Sequence, residues 1–357
     1  MKIALYSPYL DTFGGGEKYM MTISEIFSQD NEVEVLLDQH LVETGADYLK
    51  GKLSKRFNLN LGKVRFISAP VGKNSSFIAR LIFLKKYDVL FYLTDGSIFL
   101  PTSKTNILHI QSPLKGQPST SIWGKIKLKG WNTIIYNSEF TRRNSEGNWP
   151  HSSVVVYPPV DTDKIKALPK KNYILSVGRF FGYLKDKKHE LLIKIFRNLY
   201  KEGKIKNWSL HLVGSAGEGD KNYLDELKAL AEDMPVKFYP NLGYDELIRL
   251  YGESSVYWHA MGFEESDPTK MEHFGISTVE AMAGGCVPIV INKGGQREIV
   301  EDGKCGFLWN NLDEFQELTT KIILNKTLRD EFSKQAGQKA KVYSKKTFEE
   351  KILKLLK

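Results

Sequence analysis

The stretch from Val256 to Val300, VYWHAMGFEESDPTKMEHFGISTVEAMAGGCVPIVINKGGQREIV, constrains this chain more than any other. Val256–His259 has the aromatic and β-branched make-up of a short buried strand. The polar segment 262–271 cannot be a core element. Glu272, His273, Phe274 and Gly275 then lead into Ile276–Ala283, which reads as a helix stopped by Gly284–Gly285. Cys286–Ile291 is an apolar run of strand length, and Gly294–Gly295 makes another turn. The chemistry lies where loop meets helix. Gly275 lets a ligand approach the backbone closely. The amides of Ile276, Ser277 and Thr278 open the helix and offer a phosphate site. Glu272 stands just before that end and Glu280 about one turn inside it. Two carboxylates flanking a phosphate site suit the hydroxyls of a sugar and a ribose. The same residues also fit a solvated loop acid, a surface helix acid and an ordinary helix stop, and spacing alone does not choose.

The block EHFGISTVEAMAGGCVPIV, with GGQREIV and then DGKCGFL at Asp302–Leu308, resembles the signature of the family 4 retaining glycosyltransferases. The resemblance implies that Glu272 binds the transferred sugar and Glu280 the ribose of the nucleotide, with Phe274, Gly275, Ile276 and Ser277 lining the donor.

Composition sets the outer bounds. At 357 residues the chain is long enough for two domains. It is 41% hydrophobic and 26% charged, as expected for a soluble globular protein. No apolar run reaches the ~18 residues of a transmembrane helix. The first residues have too short an apolar core for a signal peptide. The two cysteines, Cys286 and Cys305, are expected as buried thiols in a reducing cytoplasm. The net charge of +9 is uneven: between Lys50 and Lys129 stand 15 Lys or Arg, opposed only by Asp88 and Asp95. Such a field attracts nucleic acid, anionic lipid or phosphorylated ligands. With no nucleic-acid motif beside it and the cations scattered among apolar residues, a membrane surface or lipid-phosphate acceptor is expected.

In chain order, Lys2–Ser7 reads as a strand, Gly14-Gly15-Gly16 as a loop, and 17–28 as a helix, the opening of a nucleotide-type α/β unit. Val33–Leu37, Val64–Ile67, Asp88–Leu93, Asn106–Ile110, Trp131–Asn137 and Val154–Val156 follow as strands. Strands alternating with helices imply a parallel sheet covered on both faces, with ligands at the carboxyl ends. The glycines fit a tight turn alone; in the resembled family this loop lines the donor phosphates and acceptor, which would make Gly15 and Gly16 backbone contacts. His109, in ILHIQSP, fits a satisfied core histidine on its own terms. The family often has a histidine here that reaches the donor sugar, and that role is expected of it. Asp161-Thr162-Asp163 has the spacing of a divalent-metal motif, but it precedes a predicted helix start and reads as a cap. No metal site and no cofactor beyond the donor substrate are expected.

Tyr173–Val177 begins a second α/β unit. Arg179 and Lys187, eight apart in GRFFGYLKDKKHELLIKIF, resemble the family pair that binds the donor diphosphate, the arginine through a planar fork and the lysine as a mobile point charge. Lys185 or Lys188 could stand in for Lys187. Ser209–Val213 and Gly214 form a strand and turn, followed by SAGEGD as a mobile loop; the resemblance implies that the backbone here, Gly214 included, contacts the donor nucleotide. Val236–Tyr239 reads as a strand and Tyr244–Tyr251 as a helix. From Leu312 the chain is helical and basic.

The implied fold is α/β, the GT-B arrangement of two Rossmann-like parallel-sheet domains facing across a cleft. The expected division is 1–160 for the acceptor side, 161–335 for the nucleotide sugar, and 336–357 as a helix returning to the first domain. The implied reaction is retaining transfer of a hexose to a glycan or lipid-linked acceptor, in the cytoplasm or at the inner membrane face. GDP-mannose leads as donor because MEHFGISTVEAMA looks nearest to mannosyl- and related hexosyltransferases. A UDP-hexose is the alternative. A GT-B epimerase or phosphorylase, a nucleic-acid-binding protein and an inactive scaffold are the readings from other classes.

Overall fold

The computed structural model describes residues 1–116, 118 and 121–356; Gln117, Ser119 and Thr120 of the basic 50–129 stretch, and Lys357, lie outside the described residues. The chain forms two compact units, one of residues 1–159 with 348–357 and one of residues 160–347. The long helix Lys326–Ala340 belongs wholly to the second unit. The expected return to the first domain at 336 therefore begins only at Phe348, inside the helix Lys345–Lys354. The reason is packing: Phe332, Ala336 and Ala340 are buried in the second unit, whereas Phe348 and Ile352 join the core of the first.

In the first unit the strands are β1 (Lys2–Tyr6), β2 (Glu32–Leu37), β3 (Arg65–Ser68), β4 (Val89–Leu93), β5 (Thr105–Ile110), β6 (Thr133–Tyr136) and β7 (Ser153–Val155). They form one parallel sheet in the order β3-β2-β1-β4-β5-β6-β7, with Ile3 of β1 opposite Val33 on one side and Val89 on the other. Runs such as VLFYL at β4 are buried throughout because helices cover both faces. One face packs the helices Gly15–Phe27 and Ala46–Phe57 and the returning Phe348 and Ile352. The other packs Leu84, Tyr87, Leu128, Trp131 and Trp149.

In the second unit the strands are β8 (Lys171–Val177), β9 (Ser209–Gly214), β10 (Val236–Pro240), β11 (Ser254–His259), β12 (Val287–Ile291) and β13 (Phe307–Trp309). Their order is β10-β9-β8-β11-β12-β13, again all parallel. The chain winds outward from β8 to β10, then returns to the other side of β8. The edge strand β13 has no counterpart in the sequence reading, which took DGKCGFL only as part of the family resemblance. Between β8 and β11 the winding reverses. Connections leave these two strands to opposite faces there, which opens a crevice at their carboxyl ends.

Two local expectations change. SAGEGD is a tied turn, not a mobile loop: the buried Asp220 carboxylate accepts from the Gly217 amide at 2.8 Å and the Gly182 amide at 3.0 Å. Asp161–Lys164 is a turn with no helix after it, so neither aspartate caps a helix. Among the described residues no group of three His, Cys, Asp or Glu side chains is placed to hold a metal, and no helix is long and apolar enough to cross a membrane.

Candidate active site

The carboxyl ends of β8 and β11 deliver the residues that matter. Gly178 and Arg179 leave β8, and His259 ends β11, with Ala260 and Met261 following it. Lys187 lies just before the helix His189–Lys201. Its stem runs over Gly178, where a β-carbon would come 2.6 Å from the Lys187 Cγ. The Lys187 ammonium then reaches the Glu272 carboxylate at 2.8 Å and the Met261 sulfur at 3.0 Å. The neighbouring lysines point elsewhere. Lys185 and Lys188 both adopt left-handed backbone, with φ of 47° and 56°. Lys185 pairs with Glu190 and Glu226 on the surface, and Lys188 pairs with Glu265. Of the three candidates, Lys187 alone meets Glu272.

Glu272 is held on both sides. The same oxygen that takes Lys187 also lies 3.2 Å from the His259 Nε2. Burial opposes ionisation of this carboxyl, but the Lys187 charge and the His259 hydrogen bond outweigh it and hold its pKa well below the usual carboxylate range. Burial pushes the His259 pKa down, with Glu272 only partly offsetting it. A neutral His259 therefore donates its Nε2 proton to a carboxylate. The sequence reading gave His259 no role; a histidine closing a strand thirteen residues before Glu272 carries no local signal of that contact.

The backbone around Glu272 is set by glycines. A β-carbon at Gly294 would overlap the Glu272 carbonyl, and one at Gly295 would lie 2.5 Å from the Phe274 Cα. Gly295 donates its amide to the Glu272 carbonyl at 2.8 Å. Gly275 has φ +117°, a conformation that L side chains rarely adopt, and begins the helix Ile276–Ala283. The helix start differs in detail from expectation. The Thr278 amide is already bonded to the Gly275 carbonyl at 3.0 Å, so Ile276 and Ser277 are the first amides to open the helix. The Tyr257 hydroxyl donates to Ser277 Oγ at 2.8 Å. Inside the helix, the buried Tyr251 hydroxyl donates to Glu280 at 3.0 Å and fixes that carboxylate.

Three expected contacts sit differently from their predicted roles. The Phe274 side chain is buried edge-on against Tyr343, and its backbone packs against Gly295. Gly214 is a glycine because its Cα presses on the Gly178 peptide, where a β-carbon would overlap the carbonyl oxygen. Arg179 is exposed, with its guanidinium 4.4 Å above the Phe181 ring.

The first-unit residues were expected beside the donor. Gly15 and Gly16 open the helix Gly15–Phe27. At Gly16 a β-carbon would collide with the Gln111 amide, so the close approach needing glycine there is made by a side chain of this unit. The Glu17 carboxylate folds back to accept from the Gly14 amide at 2.7 Å and Thr12 Oγ1 at 2.9 Å, placing a buried acid at the helix start. His109 departs most from expectation. It is wholly buried, stacked 4.1 Å from the Tyr19 ring, with Nδ1 3.2 Å from the Ile135 carbonyl. Burial pushes its pKa down to about 3. This is the environment of a neutral core histidine, sealed from any sugar.

Two parallel sheets, of seven and six strands within the described residues, each wound about a switch point, define the GT-B class. Solved structures support the fold: a glycosyltransferase from Rickettsia africae matches with a TM-score of 0.74 at 17% identity over 99% of this chain and 97% of that one. Anabaena Alr3699/HepE, solved in complex with UDP, matches at 0.71 and 18% over 100% and 99%. The family model described as glycosyl transferases group 1 matches residues 160–339, and the chain belongs to that family. Among curated proteins, the GDP-Man:Man(3)GlcNAc(2)-PP-Dol alpha-1,2-mannosyltransferase of Dictyostelium discoideum is 28% identical over 247 residues, 63% of this chain and 46% of the relative. The chain spans about half the length of the curated relatives it matches.

Proposed function

We propose that this protein is a retaining hexosyltransferase that takes a sugar from a nucleotide-diphosphate donor and passes it to a glycan or lipid-linked acceptor. The observation that carries the reading is the Lys187–Glu272–His259 cluster at the β8/β11 switch point, beside a helix start at Gly275–Ile276. An ionised carboxylate there suits sugar hydroxyls. Lys187, Arg179 and the amides of Ile276 and Ser277 suit the leaving diphosphate, whose charge grows as the glycosidic bond breaks. Glu280, fixed by Tyr251, suits the ribose. No residue need act as a covalent nucleophile, since a donor phosphate oxygen can take the acceptor proton. His109, being sealed, has no part in the proposal. GDP-mannose is the proposed donor, on the relatives named for GDP-Man. A UDP-hexose is the second reading, on the likeness to a protein solved with UDP.

A thermal-shift panel of GDP, UDP and ADP, with and without EDTA, tests this. At about 100 times its dissociation constant, the right nucleotide stabilises the protein by ~2.7 kcal/mol. The expected result is one strongly stabilising nucleotide, undiminished by EDTA. Stabilisation by none of them, or only with added metal, overturns the reading. Glu280→Gln is expected to weaken that nucleotide about tenfold, the loss of one charge-assisted hydrogen bond. Unchanged affinity by calorimetry removes Glu280 from the site. The acceptor is proposed to be lipid-linked and met at an anionic membrane.

A further inference from the structure

Two helices of the first unit expose the side chains that a folded chain ordinarily hides. In Phe77–Leu84 (FIARLIFL), only Leu84 is buried, while Phe77, Ile78 and Ile82 are 51%, 66% and 67% exposed. In Ile122–Lys129 (IWGKIKLK), only Leu128 is buried, while Ile122, Trp123 and Ile126 are 77%, 72% and 42% exposed. Scattered exposed apolar residues need no explanation, but six bulky ones on two helices do.

The two helices are neighbours. Leu84 and Leu128 enter the same core cluster on one face of the sheet. Segment 101–103 touches the far end of both: Thr102 Oγ1 donates to the Leu81 carbonyl, Ser103 Oγ donates to the Leu84 carbonyl, and a β-carbon at Gly130 would lie 2.8 Å from the Pro101 Cδ. Both helices run back against the strands, so both start at the carboxyl end of the sheet. That places Phe77, Ile78, Ile122 and Trp123 at the ligand end of this unit.

The exposed charge carried by these helices and their flanks has one sign. Lys73, Lys85, Lys86, Lys125 and Lys129 are exposed, no acid occurs in residues 66–87 or 96–132, and Glu34, which Lys86 approaches at 3.9 Å, is buried. We propose that this face docks on an anionic lipid bilayer, with Ile78, Ile82, Ile122 and Trp123 entering the interface and the lysines contacting lipid phosphates. Aliphatic and indole groups above a rim of ammonium groups match the layered chemistry of a bilayer surface. A second copy of the chain is a poor occupant, since a two-fold contact would set lysines against lysines. Nucleic acid offers the phosphates but no phase for the isoleucines. In purpose the inference rests on the lipid-linked acceptor proposed above, since docking would bring the ligand end of the first unit to the headgroups.

Tryptophan fluorescence tests the docking without donor or acceptor. Trp123 is exposed, whereas Trp131, Trp149, Trp208, Trp258 and Trp309 are buried, so a change on adding vesicles reports Trp123. Vesicles of phosphatidylcholine with about one-third phosphatidylglycerol are expected to shift emission to the blue, and doxyl-labelled lipid to quench it. Ile78→Ser/Ile82→Ser is expected to weaken vesicle binding about tenfold or more. Neither residue is part of the core, and nucleotide stabilisation by thermal shift should remain. No binding, binding indifferent to the double substitution, or a lipid-independent dimer that blue-shifts Trp123 overturns the docking face. The nucleotide panel stands or falls separately.

Discussion

Lys187→Met is expected to lower affinity for the donor nucleotide diphosphate at least about a hundredfold, whereas Lys185→Met leaves it unchanged. The three lysines at 185, 187 and 188 differ little as a pattern, but Lys187 alone has its ammonium 2.8 Å from Glu272. Removing it takes away a charge for the diphosphate and leaves burial acting on the Glu272 carboxyl with only His259 opposing. The Glu272 pKa then climbs from its depressed position. The pair is about one-fifth exposed, so its loss also costs stability, on the order of 2–4 kcal/mol. Lys185 is a surface lysine paired with two partly exposed glutamates, and solvent screening leaves its loss with little effect on stability. Calorimetric titration of the nucleotide into both variants decides. Equal affinities, or a larger loss in Lys185→Met, would show that the Lys187–Glu272 pair is not the diphosphate site.

The second large effect concerns acid. His109 and His189 have their pKa values pushed down by burial to about 3, and His211 to about 4. Each is neutral in the folded chain and takes up a proton near pH 6.5 once unfolded. Between about pH 6.5 and 4 the unfolded state thus binds more protons, and stability falls as pH falls. At pH 5.5 each histidine costs about 1.4 kcal/mol relative to pH 8. Two of the three, His189 and His211, are in the second unit, with His259 lowered as well. In the first unit the buried Glu17, its pKa raised by burial, works the other way and favours lower pH. The depressed Glu272 adds its own loss only below the ordinary carboxylate range, about pH 4.3. Calorimetric melting at pH 8 and 5.5 is therefore expected to show the second unit losing ~3 kcal/mol and the first about half that or less. A second unit as stable at pH 5.5 as at pH 8 contradicts neutral burial of these rings.

Much of the donor side was legible because its parts are contiguous. The glutamates at 272 and 280, the glycine before the helix and the glycine turn after β12 lie within one short run of sequence, so their order is read without any long-range contact. The strands were legible for a similar reason: buried parallel strands are short apolar runs between turns. The helices at 77–84 and 122–129 were less so, since their apolar residues face outward and leave no core-facing stripe to detect. Their charge could be counted, but not the face it shares with Ile78 and Trp123.

What the sequence determined by itself was therefore the class of fold, the family and the run that opens on Glu272. Local propensity and periodicity act over a few residues and need no partner to be read. The tertiary structure decided everything that depends on residues far apart meeting. Left-handed backbone at Lys185 and Lys188 aims Lys187, not its neighbours, at Glu272. Folding brings His259 to that same carboxylate and sets Gln111 against Gly16. It also closes Tyr19 over His109, turning an expected sugar contact into part of the core. A side chain's chemistry is set by its type, but its pKa, exposure and partners are set by what the rest of the chain packs around it.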